Sequence, residues 1–268
     1  MNLATNQIRP ARAYWDSAAE TYERDFTETL VGKLWREAVW QSLDGTFHAG
    51  QHVLELNCGT GMDALHLAER GIRVTGCDLS GRMIELAALR SARNGVADRV
   101  TLHVLANEEL ELLAPANFDG AFSNFSGLNC VRDLTTMKSS LDRLLRPGSK
   151  IILCFLGRFP LWEITWFLAH GDLEKAFRAR RSQIEVGEGA ISVRYPTRKQ
   201  IVAALAPEFR LRSWKGIGIA VPPSYMEHWA RRFPNITSYL AKMDAAFAHW
   251  PVYRNLGGCL LFEFERAN

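Results

Sequence analysis

The segment LELNCGTGMDALHLAERG, residues 54–71, constrains the fold more than any other part of the chain. A short apolar run leads into a turn that contains Gly59 and Gly61, and the periodicity of a helix follows at once. Glycines let the backbone approach a ligand without a Cβ in the way. The helix N-terminus directs its free N–H groups and its positive dipole end at the same place. The turn therefore predicts a ligand site, although Asn57 stands where such a turn usually carries its first glycine.

Asp78 extends this predicted site. It follows 17 residues after Gly61, at the end of the next apolar run. A carboxylate there can accept both hydroxyls of a ribose, although it could also simply cap the helix that follows. Loop and carboxylate together predict an adenosine-containing ligand. The pattern Gly59-x-Gly61-x-x-Ala64 leaves an NAD-dependent enzyme as an alternative, but the second half of the chain offers no plausible catalytic domain for hydride transfer.

Strands alternate with helices through the first half of the chain, which predicts a doubly wound, mostly parallel sheet of the α/β class. Ligands bind at the carboxyl ends of the strands in such a sheet. Helices are predicted at 62–70, after an N-cap at Ser80, and at 133–145. The predicted strands are 51–56, 72–77, 100–105, 118–123 and 150–155.

The alternation stops after Phe155. The segment 158–181 predicts a long amphipathic helical region, and helix is also expected before the last strand. We therefore predict one α/β domain, 1–268, with a seven-stranded sheet and an inserted helical cover over the active site. The cover is predicted at 158–185 and 216–255, and the later strands at 190–195, 209–215 and 258–265.

Composition argues against several classes of protein. The net charge of +3 is too small to argue for a nucleic-acid partner. No stretch reaches the roughly 18 apolar residues that a membrane span needs. The five cysteines are scattered and contain no Cys-x-x-Cys pair, which favours free thiols over disulfides or a zinc site. We predict a cytoplasmic monomer or homodimer with no metal, no nucleic-acid partner and no membrane span.

Four motifs carry a resemblance to a known family. They are VLELNCGTG at 53–61, VTGCDLS at 74–80, FDGAFSNFSGLNCVRDL at 118–134 and RLLRPGSKIILCF at 143–155. Through them the sequence resembles the class I S-adenosylmethionine-dependent methyltransferases. YWDSAAETYERDF at 14–26 is similar to the N-terminal helix of the small-molecule branch, which includes quinone-biosynthesis enzymes. The resemblance implies a Rossmann-like methyltransferase fold and S-adenosyl-L-methionine as the cofactor.

The resemblance also implies a role for each residue that matches a motif. Asp78 would hold the ribose hydroxyls, and Glu55 would lie under the methionine part of the cofactor. Glu108 is the likelier adenine contact in this pattern, because Asn107 is neutral where Asp is common. Asn57 would either crowd the loop or add a hydrogen bond. The implied cofactor-binding residues are Tyr14, Tyr22, Glu55, Asn57, Cys58, Gly59, Gly61, Asp78, Leu79, Met83, Asn107, Glu108 and Asn124.

The implied cofactor limits what the protein has to do. A sulfonium is already a strong electrophile, so the protein mainly has to align a nucleophile with the methyl carbon and exclude water. A hydroxyl nucleophile usually needs a base, for which His170 and His228 of the cover are candidates. Packing explains the aromatic residues of the cover most simply, but they also predict a pocket for a small hydrophobic or aromatic acceptor. The candidate acceptor-binding residues are Trp162, Trp166, Tyr225 and Trp229.

Two further functions stay open. A methyltransferase acting on RNA or protein is one, although the turn after the fourth strand reads SNFSG rather than an Asn-Pro-Pro-Tyr-like base-binding motif. A protein that binds S-adenosylmethionine but has lost or altered its chemistry is the other, and Asn57 is the only hint of it. The prediction is methyl transfer to a small, hydrophobic or aromatic acceptor.

Overall fold

The structure is a computed structural model that describes residues 3–267, without the side chains of residues 3–7 and 178. Nine strands lie within this range. They are β1 (His52–Leu56), β2 (Arg73–Asp78), β3 (Val100–Val104), β4 (Phe118–Ser123), β5 (Leu145–Leu156), β6 (Gln183–Val186), β7 (Ile191–Arg194), β8 (Phe209–Ile217) and β9 (Cys259–Arg266).

Ten α-helices surround these strands in the described part of the chain. They are α1 (Leu3–Tyr22), α2 (Leu30–Asp44), α3 (Met62–Glu69), α4 (Gly81–Arg93), α5 (Leu134–Leu144), α6 (Leu161–Ala169), α7 (Leu173–Ala176), α8 (Arg198–Leu205), α9 (Glu227–Arg232) and α10 (Pro234–Phe247).

The central sheet has seven strands in the order β3-β2-β1-β4-β5-β9-β8. The strands from β3 to β5 are parallel, whereas β9 is antiparallel to both β5 and β8. This arrangement confirms the predicted fold class. The order places the ends of β1, β2 and β4 side by side, which is where a ligand binds in a sheet of this kind.

The second half confirms one expectation and corrects another. The predicted strand at 190–195 is β7, which pairs with β6 in a separate two-stranded hairpin beside the central sheet. The predicted helical region at 158–181 is divided: α6 ends at Ala169, and Gly171 has a φ of +75°, which breaks the helix before α7.

Two apolar clusters cover the two faces of the sheet. One contains Leu54 and Leu56 of β1 with residues of α5 and α8. The other contains Val53 of β1 with residues of α2 and α3. Successive strand residues point to opposite faces, so Glu55 lies on the same face as Val53, beneath α2 and α3. The Glu55 carboxylate is therefore buried within the apolar core.

The predicted cover segments contain α6, α7 and the first residues of the β6–β7 hairpin on one side, and α9 and α10 on the other. The tryptophans of the two sides meet, because the rings of Trp162 on α6 and Trp229 on α9 lie 6.0 Å apart. No helix within residues 3–267 is long and apolar enough to cross a membrane.

Candidate active site

A cavity of about 180 Å³ adjoins the loop after β1, and we call it the loop cavity. Its walls come from the ends of β1, β2 and β4, from the start of α4 and from α1. Eight of the predicted cofactor residues line it, and five do not. The eight are Tyr22, Asn57, Gly59, Asp78, Leu79, Met83, Asn107 and Glu108.

The two glycines of the loop serve different purposes. A Cβ on Gly59 would meet nothing within 4 Å, so the absence of a side chain leaves the loop open to the cavity. A Cβ on Gly61 would lie 2.7 Å from the Cβ of Ala87 on α4. Gly61 therefore lets α3 and α4 pack closely, and Gly59 lets a ligand approach the backbone. Both residues have positive φ, which favours glycine.

Asp78 connects β2 to the glycine loop. Its Oδ2 accepts a hydrogen bond from the Gly59 N–H (2.9 Å), and its Oδ1 accepts one from the Ser80 N–H (2.9 Å). Burial raises the pKa of this carboxyl, and the bonds from backbone N–H groups oppose that shift. Each carboxylate oxygen can accept more than one hydrogen bond, so Asp78 can fix the loop and still bind hydroxyls in the cavity.

Asn57 takes the place of the first glycine without distorting the loop. Its φ is +55°, a conformation that asparagine adopts more readily than most residues. Its Nδ2 donates to Ser123 Oγ (3.1 Å), and its Oδ1 accepts from Asn107 Nδ2 (2.8 Å). A Cβ on Gly127 would lie 2.5 Å from the Asn57 Cγ, so only glycine fits opposite this side chain. Asn57 thereby joins three loops around the cavity.

The far wall of the cavity carries Glu108 and Cys130. Glu108 Oε1 lies 3.4 Å from the Arg132 backbone nitrogen, which donates to it. Burial and, to a smaller extent, the nearby Glu108 raise the pKa of the Cys130 thiol to about 11. A thiol in this state is a weak nucleophile at neutral pH. Cys130 is thus a wall residue, and Glu108 remains the acidic group beside the predicted adenine position.

A buried polar cluster lies behind the loop. Arg36 Nη1 donates to Asp63 Oδ1 (2.8 Å), Trp40 Nε1 donates to the same oxygen (2.6 Å), and Asn124 Nδ2 donates to Asp63 Oδ2 (2.9 Å). The predicted residue Asn124 therefore faces Asp63 rather than the loop cavity. Nothing in the sequence motifs singled out Arg36 or Asp63, because their pairing depends on α2 crossing the start of α3.

Glu55 belongs to the same buried region. It is 1% exposed, and its Oε2 has no hydrogen-bond partner among the described residues. Burial raises its pKa well above the ordinary value, and the charge of Asp63 raises it further, while Arg36 opposes the shift. Glu55 does not line the loop cavity, so its predicted contact with the methionine part of a cofactor stays a prediction.

Three other predicted residues also lie off the cavity or behind it. Cys58 packs its Sγ against the backbone, where a Cβ on Gly76 would come within 3.2 Å, and burial raises the pKa of its thiol. It fills space as a small residue. Gly61 is a packing glycine, and Tyr14 packs against Gly187 of the hairpin turn. The neighbouring Trp15 lines the loop cavity in its place.

The first helix closes the loop cavity from above. Asp16 of α1 accepts a hydrogen bond from the Ser80 hydroxyl (2.6 Å). Glu23, just after α1, accepts one from the Thr60 hydroxyl (2.5 Å) and pairs with Arg90 Nη2 of α4 (2.5 Å). These contacts hold the N-terminal segment on the glycine loop, so it forms part of the wall of the loop cavity.

A second cavity of about 310 Å³ lies below the predicted cover, and we call it the cover cavity. It shares Tyr22, Phe125 and Ser126 with the loop cavity. Phe125 and Ser126 both have positive φ, +42° and +43°, which is unusual for residues other than glycine. Backbone strain of this kind is concentrated at functional sites. The two cavities thus meet at a strained turn after β4.

The structure brings only part of the predicted acceptor set to the cover cavity. Trp162 and Tyr225 line it, and Trp229 contacts Trp162 with its ring tilted by 54°. Trp166 is 39% exposed and packs against His170, so both lie on the outer surface of α6. His228, on α9, is also exposed. Neither candidate histidine base lines either cavity.

Residues of other types complete the cover cavity. Its aromatic walls include Phe26 and Trp35, and its one carboxylate among the described lining residues is Glu163. The Trp35 ring lies against Gly218 and Gly258, where a Cβ would come within 2.1 and 2.4 Å of it. The described residues contain no group of three or more His, Cys, Asp or Glu side chains that could hold a metal ion.

The fold and the glycine loop with Asp78 define a Rossmann-like domain that binds an adenosine-containing cofactor. A family model described as a methyltransferase domain matches residues 53–148. A demethylmenaquinone methyltransferase of Thermobifida fusca is 30% identical over 166 residues, which are 61% of this chain and 68% of that protein. The chain belongs to the class I S-adenosylmethionine-dependent methyltransferases, and its cofactor is S-adenosylmethionine.

Other similar proteins have varied names. A malonyl-[acyl-carrier protein] O-methyltransferase of Serratia marcescens is 28% identical over 81% of this chain and 77% of its own length. A tRNA 5-carboxymethoxyuridine methyltransferase of Escherichia coli is 30% identical over 53% of this chain and 55% of its own. Among solved structures, the [4+2]-cyclase SpnF has a TM-score of 0.57 at 19% identity and covers 87% of this chain and 81% of its own. That similarity supports the fold alone.

The residues at the loop cavity fit this cofactor. Gly59 leaves the backbone open, Asp78 presents a carboxylate, and Leu79 and Met83 supply an apolar surface beside it. Leu79 and Met83 both line the cavity, and their contact with the adenine stays a prediction. This fit is inferred from the shape of the cavity and from the chemical groups that line it.

Proposed function

We propose that the protein transfers a methyl group from S-adenosylmethionine to a small, hydrophobic or aromatic acceptor that binds in the cover cavity. The observation that carries this proposal is the contact between the two cavities at Tyr22, Phe125 and Ser126. A cofactor held in the loop cavity and an acceptor held in the cover cavity would meet at this boundary. Aromatic walls favour an apolar acceptor and exclude water from the reaction.

When bound, the cofactor supplies an electrophilic methyl group, and the protein supplies position and environment. The carboxylate of Asp78 would accept hydrogen bonds from the ribose hydroxyls, and that of Glu108 would accept one from the adenine amino group. Asn57 would fix the relative positions of the cavity loops through its hydrogen bonds to Ser123 and Asn107. The N-terminal segment would close over the bound cofactor through its contacts to Ser80 and Thr60.

The polar groups near the cover cavity limit which kind of atom could accept the methyl group. His170 and His228 are exposed, and a histidine base would require one of them to move inward. Burial raises the pKa of Tyr22 to about 12, so its phenol stays protonated at neutral pH and can donate a hydrogen bond. These features favour an acceptor whose nucleophilic atom, such as a thiolate, an acidic phenolate or an activated carbon, needs no strong base.

Trp162 and Trp166 provide a matched pair for the test, because both belong to α6 but only Trp162 lines the cover cavity. A methyl-transfer screen across phenols, quinones, thiols and polar metabolites would first identify acceptors. We expect Trp162→Leu to lower kcat/KM for the best soluble acceptor at least about tenfold, or 1.4 kcal/mol. Trp166→Leu should change it less than about twofold. Turnover confined to small charged acceptors, or equal effects of the two variants, would contradict the proposed site.

The similarity to named relatives with other activities supports an alternative in which the same cofactor site serves different chemistry. One relative is a tRNA methyltransferase. Mass spectrometry of reaction mixtures decides between these functions. A methylated small molecule supports the proposal, methylated RNA supports the macromolecular alternative, and an unmethylated, rearranged product supports altered chemistry.

A further inference from the structure

Helix α6 exposes an apolar sequence that a helix of a globular domain normally buries. Its nine residues are LWEITWFLA, and none of their side chains is buried. Leu161, Trp166 and Leu168 are 37%, 39% and 42% exposed. A helix on the surface of a globular protein usually turns its apolar stripe to the core. The outer side of α6 therefore presents an apolar surface that the described side chains leave partly exposed.

The exposed surface continues beyond α6. Leu173 on α7 is 65% exposed, and Phe177 after it is 37% exposed. On the other side, Trp162 of α6 contacts Trp229 of α9, which stacks on the exposed Phe233. We define the docking face as the surface of residues 158–181 and 227–233. Contiguous apolar surface of this kind on a monomer marks an interaction site more often than chance.

The docking face also concentrates positive charge. In sequence, segments 158–181 and 227–233 hold seven Arg or Lys and four Asp or Glu, a net charge of +3. The whole chain has a net charge of +3, so the remaining residues balance. The guanidinium groups of Arg180 and Arg232 lie 5.7 and 5.9 Å from the ring centres of Phe177 and Phe233. Neither arginine has a carboxylate partner among the described side chains.

We propose that the docking face binds to the surface of an anionic phospholipid bilayer. Tryptophan and phenylalanine side chains enter the boundary between headgroups and acyl chains, and nearby arginines attract anionic headgroups. A second copy of the chain fits less well, because two identical faces would bring positive charge against positive charge. The same helix supplies Trp162 and Glu163 to the cover cavity, so docking places that cavity next to the bilayer.

This inference goes beyond the proposed function and is tested without it, because vesicle binding requires neither an acceptor nor turnover. The intact protein is sedimented with vesicles of phosphatidylcholine alone or of phosphatidylcholine mixed with phosphatidylglycerol. We expect binding to the mixed vesicles only, with loss of binding at high salt because the attraction to headgroups is screened.

Two variants test the two parts of the docking face. Trp166→Glu combined with Leu168→Glu should lower the partition coefficient on mixed vesicles at least about tenfold, or 1.4 kcal/mol. Arg180→Gln combined with Arg232→Gln should lower the preference for phosphatidylglycerol. Leu112→Glu is the matched control, because Leu112 is 71% exposed and lies outside the docking face. Circular dichroism and affinity for S-adenosylhomocysteine verify that each variant is folded.

The outcomes are distinct. Selective binding of mixed vesicles that the Trp166/Leu168 variant loses and the Leu112 variant keeps supports the proposal. Absence of binding, or equal binding by the Trp166/Leu168 variant, overturns it. A wild-type dimer in light scattering that this variant converts to monomer also overturns it, because the face would then bind a second copy. Failure in any of these forms leaves the methyl-transfer screen unaffected.

Discussion

Asn57 shows, at the scale of one residue, how a ligand loop keeps its shape after losing a glycine. The position requires positive φ, and asparagine adopts it at small cost. The amide then makes two hydrogen bonds that glycine cannot make, to Ser123 and to Asn107. Gly127 gives it room on the other side. The departure from the family motif is therefore compensated by three neighbours, which removes it as evidence for lost chemistry.

We predict that Asn57→Gly destabilises the protein while sparing the cofactor. Each lost hydrogen bond contributes about 1 kcal/mol, so the free energy of unfolding in urea should fall by about 1–2 kcal/mol. Affinity for S-adenosylhomocysteine by titration calorimetry should change less than about tenfold. Asn57→Ala, which removes the same bonds but resists positive φ, should be less stable still. A glycine variant as stable as the wild type would show that the two bonds contribute nothing.

Glu55 gives a second prediction, on pH dependence. Folding raises its pKa above the ordinary value of 4.5, so its contribution favours folding at acidic pH and is lost as pH rises through the folded pKa. Glu55→Gln keeps the shape without the charge. At pH 8 its free energy of unfolding should exceed that of the wild type by on the order of 1 kcal/mol, and the difference should shrink toward pH 4.

Exposed Glu85 on α4 supplies the control for this measurement, because Glu85→Gln removes a carboxylate from a solvated position. It should leave the pH profile of stability unchanged within error. A Glu55→Gln protein that is less stable than the wild type at pH 8 would contradict the prediction, because it would mean that Arg36 stabilises the ionised Glu55 carboxylate. Cofactor affinity of the same variant tests the predicted role of Glu55 at the methionine end.

At the scale of elements, the N-terminal segment is attached to the cofactor loop by a few polar contacts. Arg90 of α4 donates from Nη1 to Thr60 Oγ1 (2.8 Å) and pairs through Nη2 with Glu23 (2.5 Å). The side chains of Arg90 and Glu23 are only 18% and 28% exposed, so water and salt screen them less than surface pairs. We therefore expect these contacts to limit how easily the segment opens.

We predict that Glu23→Gln accelerates release of the cofactor. Without its charge, the segment should open more often, and the dissociation rate of S-adenosylhomocysteine in stopped-flow displacement should rise at least about fivefold, near 1 kcal/mol. Arg82→Met breaks an exposed ion pair with Glu85 on the same helix α4 and should leave the rate unchanged. If both variants release the product at the wild-type rate, the contacts hold the segment without gating the cavity.

The elements that sequence could predict are those whose signals are local. Ser80 caps α4 by accepting a bond from the Met83 N–H (3.1 Å), as the pattern predicted. Asp133 caps α5 in the same way through the Thr135 N–H (2.8 Å). The strands up to β5 followed from apolar runs between such caps. The glycine loop and Asp78 could be recognised for the same reason, because each lies at the end of a short apolar run that is read directly from the sequence.

What depended on distant pairing could not be predicted. The residues of the Arg36–Asp63 pair are 27 positions apart, and only the crossing of α2 over α3 brings them together. The hairpin strand β7 has the apolar pattern of a sheet strand, and its exclusion from the central sheet follows from β9 pairing with β5 and β8. The candidate bases His170 and His228 lie outside both cavities. The sequence could not predict this, because no local pattern shows which way a side chain points on a short helix of the cover.

At the scale of the whole molecule, the loop cavity adjoins the parallel half of the sheet, and the cover cavity extends to the antiparallel half. The loop cavity gathers the ends of β1, β2 and β4. The cover cavity reaches from the turn after β4 to Cys259, at the start of β9. Tyr22, at the end of α1, borders both cavities. One side chain of the N-terminal segment is thus placed to couple the two binding events.

Our last prediction concerns this shared side chain. Tyr22→Ala removes a wall common to both cavities, so it should weaken S-adenosylhomocysteine and raise the acceptor KM, each at least about fivefold. Trp162→Leu should affect the acceptor alone. Tyr22→Phe keeps the ring and should retain cofactor affinity within about twofold. Because its pKa is about 12, the hydroxyl should add no titration to the kcat profile between pH 6 and pH 10. An effect of Tyr22→Ala on only one ligand would show that the cavities are separate.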